Sequence, residues 1–133
     1  IKMGTIKVTI ESGKDLFGAW AENVPGIYGS GKTVQETKKS IIEAIKLYKE
    51  HNTEVPAELQ GEVEIIWAYD TASFMEYFSN IFSKAGLERI TGINQKQLGH
   101  YASGLKKPRK NQIEKIDQAI KRLAEDLNQV HLV

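Results

Sequence analysis

The sequence predicts an α+β protein, with a mixed β-β-β-α-β unit over residues 1–70 and an all-helical unit over residues 71–133. Three observations predict it. Ile6, Val8 and Ile10 alternate with Lys7 and Thr9, the period of a half-buried strand. Apolar residues then recur at helical spacing from Val34 to Tyr48. Beyond Tyr69 the strand pattern ends, and helical spacing, broken by a short Gly-Ile-Asn turn, takes over.

Composition sets the bounds. The 133 residues are 41% apolar and 26% charged, too apolar for a disordered chain and too charged for a membrane one. There is no cysteine, which excludes a disulfide scaffold, a thiolate zinc site and a cysteine nucleophile. No apolar run approaches the roughly 20 residues of a membrane span, so no membrane partner and a cytoplasmic location are expected. The net charge of +1 hides an asymmetry. Residues 1–83 carry 8 basic and 12 acidic side chains, and residues 84–133 carry 10 and 5. An acidic first part suits a cationic partner, and a basic second part suits a polyanion.

Residues 1–4 read as entry to the first strand, which runs on to Ile10. Ser12-Gly13-Lys14-Asp15 is a turn, and Leu16 to Glu22 returns as the second strand. Pro25 to Gly29 suits a short edge strand, because Pro25 cannot donate to a central ladder. Thr33-Val34-Gln35-Glu36 fits a capping box that opens the main helix. Val34, Ile41, Ile45 and Tyr48 form its apolar stripe, widened by Ile42 and Leu47, while Lys38, Lys39, Glu43, Lys46 and Glu50 look outward. Glu62 to Tyr69 is the closing strand, with Val63, Ile65 and Trp67 on one face.

Gly26 to Thr33 also matches the phosphate-loop pattern, two glycines with four residues between them followed by Lys32 and Thr33. Val63 to Asp70 could pass for the strand and acid that hold magnesium in such sites. That chemistry needs a buried parallel strand ending at the first glycine. Ala21 to Pro25 is a poor candidate for it, so the segment reads as a glycine-rich turn and a capped helix. The three histidines share no metal-ligand spacing, and the acids of the main helix read as solvated. No cofactor, no metal and no enzymatic activity are expected.

In the second part, Ser73-x-x-Glu76 looks like another capping box, and Phe74, Tyr77, Phe78, Ile81 and Phe82 form one apolar stripe. Leu87 to Thr91 is a short helix stopped by Gly92. Ile93 plugs the angle and Asn94 caps the next helix, which sends Leu98 and Tyr101 inward. This is the pattern of a helix-turn-helix. Asn94, Gln95, Lys96, Gln97 and His100 are the candidates for reading base edges. Lys84, Lys106, Lys107 and Arg109 are the candidates for phosphate contacts. In the last helix Ile113, Ile116, Ile120, Leu123 and Leu127 form a seam that outruns so small a core, and a homodimer or higher homo-oligomer is expected.

The segment Val24 to Glu36, with its Pro-Gly, its Gly-Lys-Thr and its acidic residue opening the helix, resembles the signature of HicB-type antitoxins. Residues 83–127 resemble the Cro/repressor type of helix-turn-helix that many such proteins carry. The resemblance implies a reduced RNase H-like first domain that binds and occludes a HicA-type, RNA-cleaving toxin. It implies a second domain that binds the operator of its own operon. Two features depart from these patterns. The first strand lacks the carboxylate that a two-metal nuclease needs. Glu88 stands where the helix-turn-helix usually has a small residue, and Thr91 where it usually has an apolar one. Two other readings remain open: a stand-alone regulator with a ligand-sensing first domain, and a small nucleotide hydrolase.

Overall fold

The computed structural model describes residues 4–133. The expected strand entry at residues 1–3 lies outside them. The chain divides into two compact units, residues 1–77 and 78–133.

In the first unit, strands β1 (Gly4–Ser12), β2 (Phe17–Ala21) and β3 (Tyr28–Gly31) form an antiparallel meander. Helix α1 (Val34–His51) and a 3-10 turn (Ala57–Leu59) then lead to β4 (Val63–Tyr69), which pairs parallel to β1. The sheet order is β3-β2-β1-β4. Ile6, Val8 and Ile10 are fully buried, and their neighbours on the same face are Ala19, Ala21, Ile65 and Trp67. Val34, Ile41 and Ile45 of α1 complete this core, with Val24, Ile27 and Leu59. The third strand is an edge strand as expected, but it lies at residues 28–31 rather than 25–29. Pro25 and Gly26 belong to the turn before it, where Gly26 has φ +92°.

Three expectations about this unit need correcting. Ile42 and Leu47 do not widen the buried stripe: they are 55% and 44% exposed. Lys38 does not simply look outward. Its Nζ lies 4.3 Å from the ring centre of Tyr77 and 4.9 Å from that of Trp67, a cation–π arrangement that ties α1 to β4 and to the helix that follows. That helix, α2 (Thr71–Tyr77), belongs to the first compact unit, so the division falls at 77/78 rather than 70/71.

The Ser73–Glu76 box does not form either. Asp70 is the cap: its Oδ1 accepts from the Ser73 amide at 2.8 Å, and its carbonyl accepts from the Phe74 amide. Its Oδ2 accepts from the amide and the hydroxyl of Ser12, at 2.8 and 3.0 Å, joining the end of β1 to the start of α2. Ser73 is buried inside the helix, and Glu76 instead accepts from the Val34 amide at the start of α1.

Burial alone would raise the Asp70 pKa, but hydrogen bonds from Ser73 and Ser12 outweigh it and hold the carboxyl below its ordinary value. A depressed pKa means stability that is present above the unfolded-state value and is lost as pH falls through the folded one. Asp70→Ala is therefore expected to cost about 1–2 kcal/mol near neutral pH, within the range for a lost helix cap. In acid, below the ordinary carboxylate range, the gap to the unsubstituted chain should narrow. Urea titrations at several pH values check this.

In the second unit, α3 (Lys84–Thr91), α4 (Gln95–Ser103) and α5 (Lys110–Asn128) surround Leu87, Ile93, Leu98, Tyr101, Ile116 and Ala119. The expected aromatic stripe from Phe74 to Phe82 is not one helix face. Helix α2 stops at Tyr77, Phe78 and Phe82 stand as a tilted ring pair in the turns that follow, and Ile81 is 72% exposed.

Candidate functional site

The phosphate-loop pattern resolves into something else. Tyr28 to Gly31 is extended strand, hydrogen-bonded to β2 in an antiparallel ladder at the sheet edge. Its glycines serve packing. A Cβ on Gly29 would lie 2.9 Å from Ile41 Cγ1, and a Cβ on Gly31 would lie 2.8 Å from the Thr37 amide nitrogen. Both residues let β3 press against α1. Lys32 donates its amide to Glu36 Oε2 at 2.9 Å, and the Thr33 hydroxyl accepts from the Glu36 amide at 3.1 Å. Thr33 thus caps the helix as expected, while the Glu36 carboxylate reaches one residue further back than in the usual box. Asp70, the apparent magnesium ligand of the pattern, is occupied by Ser12 and Ser73. Among the described residues no group of three metal-binding side chains occurs.

The second unit contains two short helices, α3 and α4, joined through Gly92, Ile93 and Asn94. Ser83 caps α3 by accepting from the Gly86 amide at 2.9 Å. Gly92 ends α3 in the left-handed region at φ +77°, where a side chain would be strained. Ile93, only 4% exposed, fills the angle between the helices. Asn94 caps α4 by accepting from the Gln97 amide at 2.8 Å.

Both departures from the usual pattern have physical reasons. Thr91 is buried, but its hydroxyl donates to the Leu87 carbonyl at 2.6 Å and accepts from the Ile93 amide at 3.1 Å. The turn gains two hydrogen bonds where an apolar residue would make none. The Glu88 carboxylate accepts from the Gln95 amide at 3.1 Å and from Gln95 Nε2 at 3.3 Å. It places a negative charge at the N-terminus of α4, where the helix dipole favours one.

These contacts sort the candidate base readers. Gln95 has its side-chain amide turned to Glu88. Gln97 Nε2 donates to the buried hydroxyl of Tyr101 at 2.8 Å, so this side chain serves the core. Asn94 spends its Oδ1 on the cap. The ring of His100 buries its Nδ1 without a hydrogen-bond partner, so that edge faces the protein. Lys96 is exposed in the first turn of α4.

The candidate phosphate contacts are all exposed. Lys84 begins α3 and runs its aliphatic stem past Gly99 of α4. Gly104, at φ +80°, ends α4, and the Lys106 amide donates back to the His100 carbonyl at 3.2 Å. This anchors the basic loop at the end of α4. Lys107 follows, and Arg109 precedes α5 with no capping bond from its side chain.

Two features of the molecule have no local sequence signal. One is the clasp of Lys38. The other is the outer face of the first unit's sheet, where Trp20 and Tyr28 stand directly opposite each other on β2 and β3.

The chain matches no family model, no curated protein and no solved structure. Within the described residues no helix is long and apolar enough to cross a membrane.

Proposed function

We propose that the chain is an antitoxin and autorepressor of HicB type. The first unit binds and occludes a basic, RNA-cleaving toxin of HicA type, and the second binds operator DNA in the cytoplasm. The observation that carries the reading is the α3–Gly92–α4 turn, with Lys96 exposed at the front of α4 and an exposed basic loop behind it. A polar helix start in the major groove, flanked by cations for the phosphates, is how such pairs engage DNA. The antiparallel meander followed by a helical crossover to a parallel strand supports the reduced RNase H-like reading of the first unit. Its acidic balance supports a cationic partner.

A homodimer on a two-fold operator completes the proposal, since one short helix reads only a few base pairs. Support comes from α5. Ile116 and Ala119 are buried, but Ile113 and Leu127 of the same helix are 48% and 61% exposed.

The test is fluorescence anisotropy on DNA from upstream of the chain's own reading frame and on scrambled DNA, across a salt series. Affinity should fall steeply with salt on both. Removing Lys106, Lys107 or Arg109 singly should weaken both DNAs alike and lower the salt slope by about one. A slope unchanged by all three substitutions would remove the basic loop from the interface.

A further inference from the structure

Helix α1, the 3-10 turn and α2 all lie on the inner face of the first unit's sheet. The outer face carries Thr5, Lys7, Thr9 and Glu11 of β1, Gly18 and Trp20 of β2, Tyr28 and Ser30 of β3, and Glu64 and Ile66 of β4. Among the described residues, no helix of the unit packs on it. Tyr28 is 69% exposed and Ile66 is 50% exposed.

One spot on this face is concave. Gly18 pairs with Glu11 on one side and with Ser30 on the other. A Cβ there would meet nothing within 4 Å, so no packing inside the protein accounts for the missing side chain. The result is an open hollow of about 420 Å³, bordered by Glu11, Leu16, Trp20, Tyr28 and Ser30. Two aromatic residues and one acidic residue therefore border a shallow, open depression with room for a side chain. Among the described residues the Glu11 side chain has no hydrogen-bond or ion-pair partner. On the same face Lys7 is held by Glu22 at 3.3 Å, and Glu22 also accepts from the Thr9 hydroxyl. That leaves Glu11 and Glu64 as unbalanced charges. In the bordering turn Lys14 and Asp15 offset each other.

We infer that the hollow over Gly18 receives an arginine side chain of a basic protein partner. A guanidinium is planar, stacks on aromatic faces and bonds carboxylates in pairs, so it matches this mixture of rings and acid better than an ammonium does. A base of a nucleic-acid strand would also stack on the rings, but the strand's phosphates would meet the acids of the face. The inference rests on the proposed partner chemistry and adds the point of docking.

The test uses the full chain, labelled with ¹⁵N, and the capped peptide Gly-Arg-Gly-Arg-Gly. Titration should shift the amides of Gly18 and Ser30 and the indole N–H of Trp20, in a saturable way that weakens with salt. The same peptide with citrulline for arginine keeps the shape without the charge, and should bind at least tenfold more weakly. Gly18→Leu fills the hollow where open space exists, and should lower affinity at least tenfold with an unchanged melting temperature. Glu11→Lys, at an exposed position, should do the same and stands in if Gly18→Leu does not fold. Shifts away from the hollow, equal binding of the citrulline peptide, or tighter occupation of the hollow by a single-stranded RNA oligomer would overturn the inference. The partner reading has its own outcomes. A basic protein that copurifies equally with Gly18→Leu, Glu11→Lys and the unsubstituted chain overturns the hollow and leaves the antitoxin reading standing. Peptide binding at the hollow with no protein partner supports the hollow and removes the antitoxin reading.

Discussion

Gly31→Ala is expected to destabilise the first unit by about 1–3 kcal/mol, the usual range for forcing volume into a packed core. The added methyl would sit 2.8 Å from the Thr37 amide nitrogen and 2.7 Å from Glu36 Cβ. Two of its three nearest neighbours are backbone atoms of α1, which cannot rotate away as a flexible side chain can. Strand β3 would have to lift from the helix, taking Gly29 and its contact with Ile41 along. Lys32→Ala should be nearly neutral, because only the Lys32 backbone makes a bond in this segment. It should also leave nucleotide binding undetectable, as in the unsubstituted chain. Thermal melts of the two variants, with calorimetric titration of ATP, separate a packing motif from a phosphate site. Saturable ATP binding that Lys32→Ala abolishes would restore the phosphate-loop reading.

On operator DNA, Lys96→Ala should cost about 1–3 kcal/mol per half-site, the range for a lost base-edge contact. The loss should be smaller on scrambled DNA. The sequence alone ranks Gln95 beside Lys96, but the Gln95 amide donates to Glu88 and must leave it before reaching a base. Gln95→Ala should therefore cost less than Lys96→Ala. Gln97→Ala should act mainly on stability, because it strips the partner from the buried Tyr101 hydroxyl. Anisotropy titrations of the three variants on both DNAs, each paired with a melt, give the ranking. Equal losses on operator and scrambled DNA for Lys96→Ala would mean that α4 does not read sequence.

Local chemistry made much of the fold legible. The alternation in β1, the Thr33 cap, the Gly92 stop and the Asn94 cap each depend on residues within a few positions of one another. What failed depends on distant neighbours. Ser73 and Asp70 can each cap a helix, and the choice falls to Asp70, which also accepts two bonds from Ser12, 58 positions away. Lys38 has the spacing of a solvated residue, but β4 and α2 bring three rings to it. Ile42 and Leu47 fit a broad helical stripe, but the sheet covers only the narrower one through Val34, Ile41 and Ile45. The candidate DNA-reading set was legible as a segment but not as individual roles. Three of its five members bond to another residue of the α3–α4 pair, and such pairings follow from rotamers rather than from spacing.

Co-expression of the full chain with the small reading frame beside its own decides whether one protein holds a toxin with its first unit and an operator with its second. A basic protein should copurify with the chain, its RNA cleavage should be silent in the complex, and the complex should shift DNA from upstream of the pair. Free, active cleavage of RNA in the presence of excess chain, or no copurifying protein at all, would contradict it.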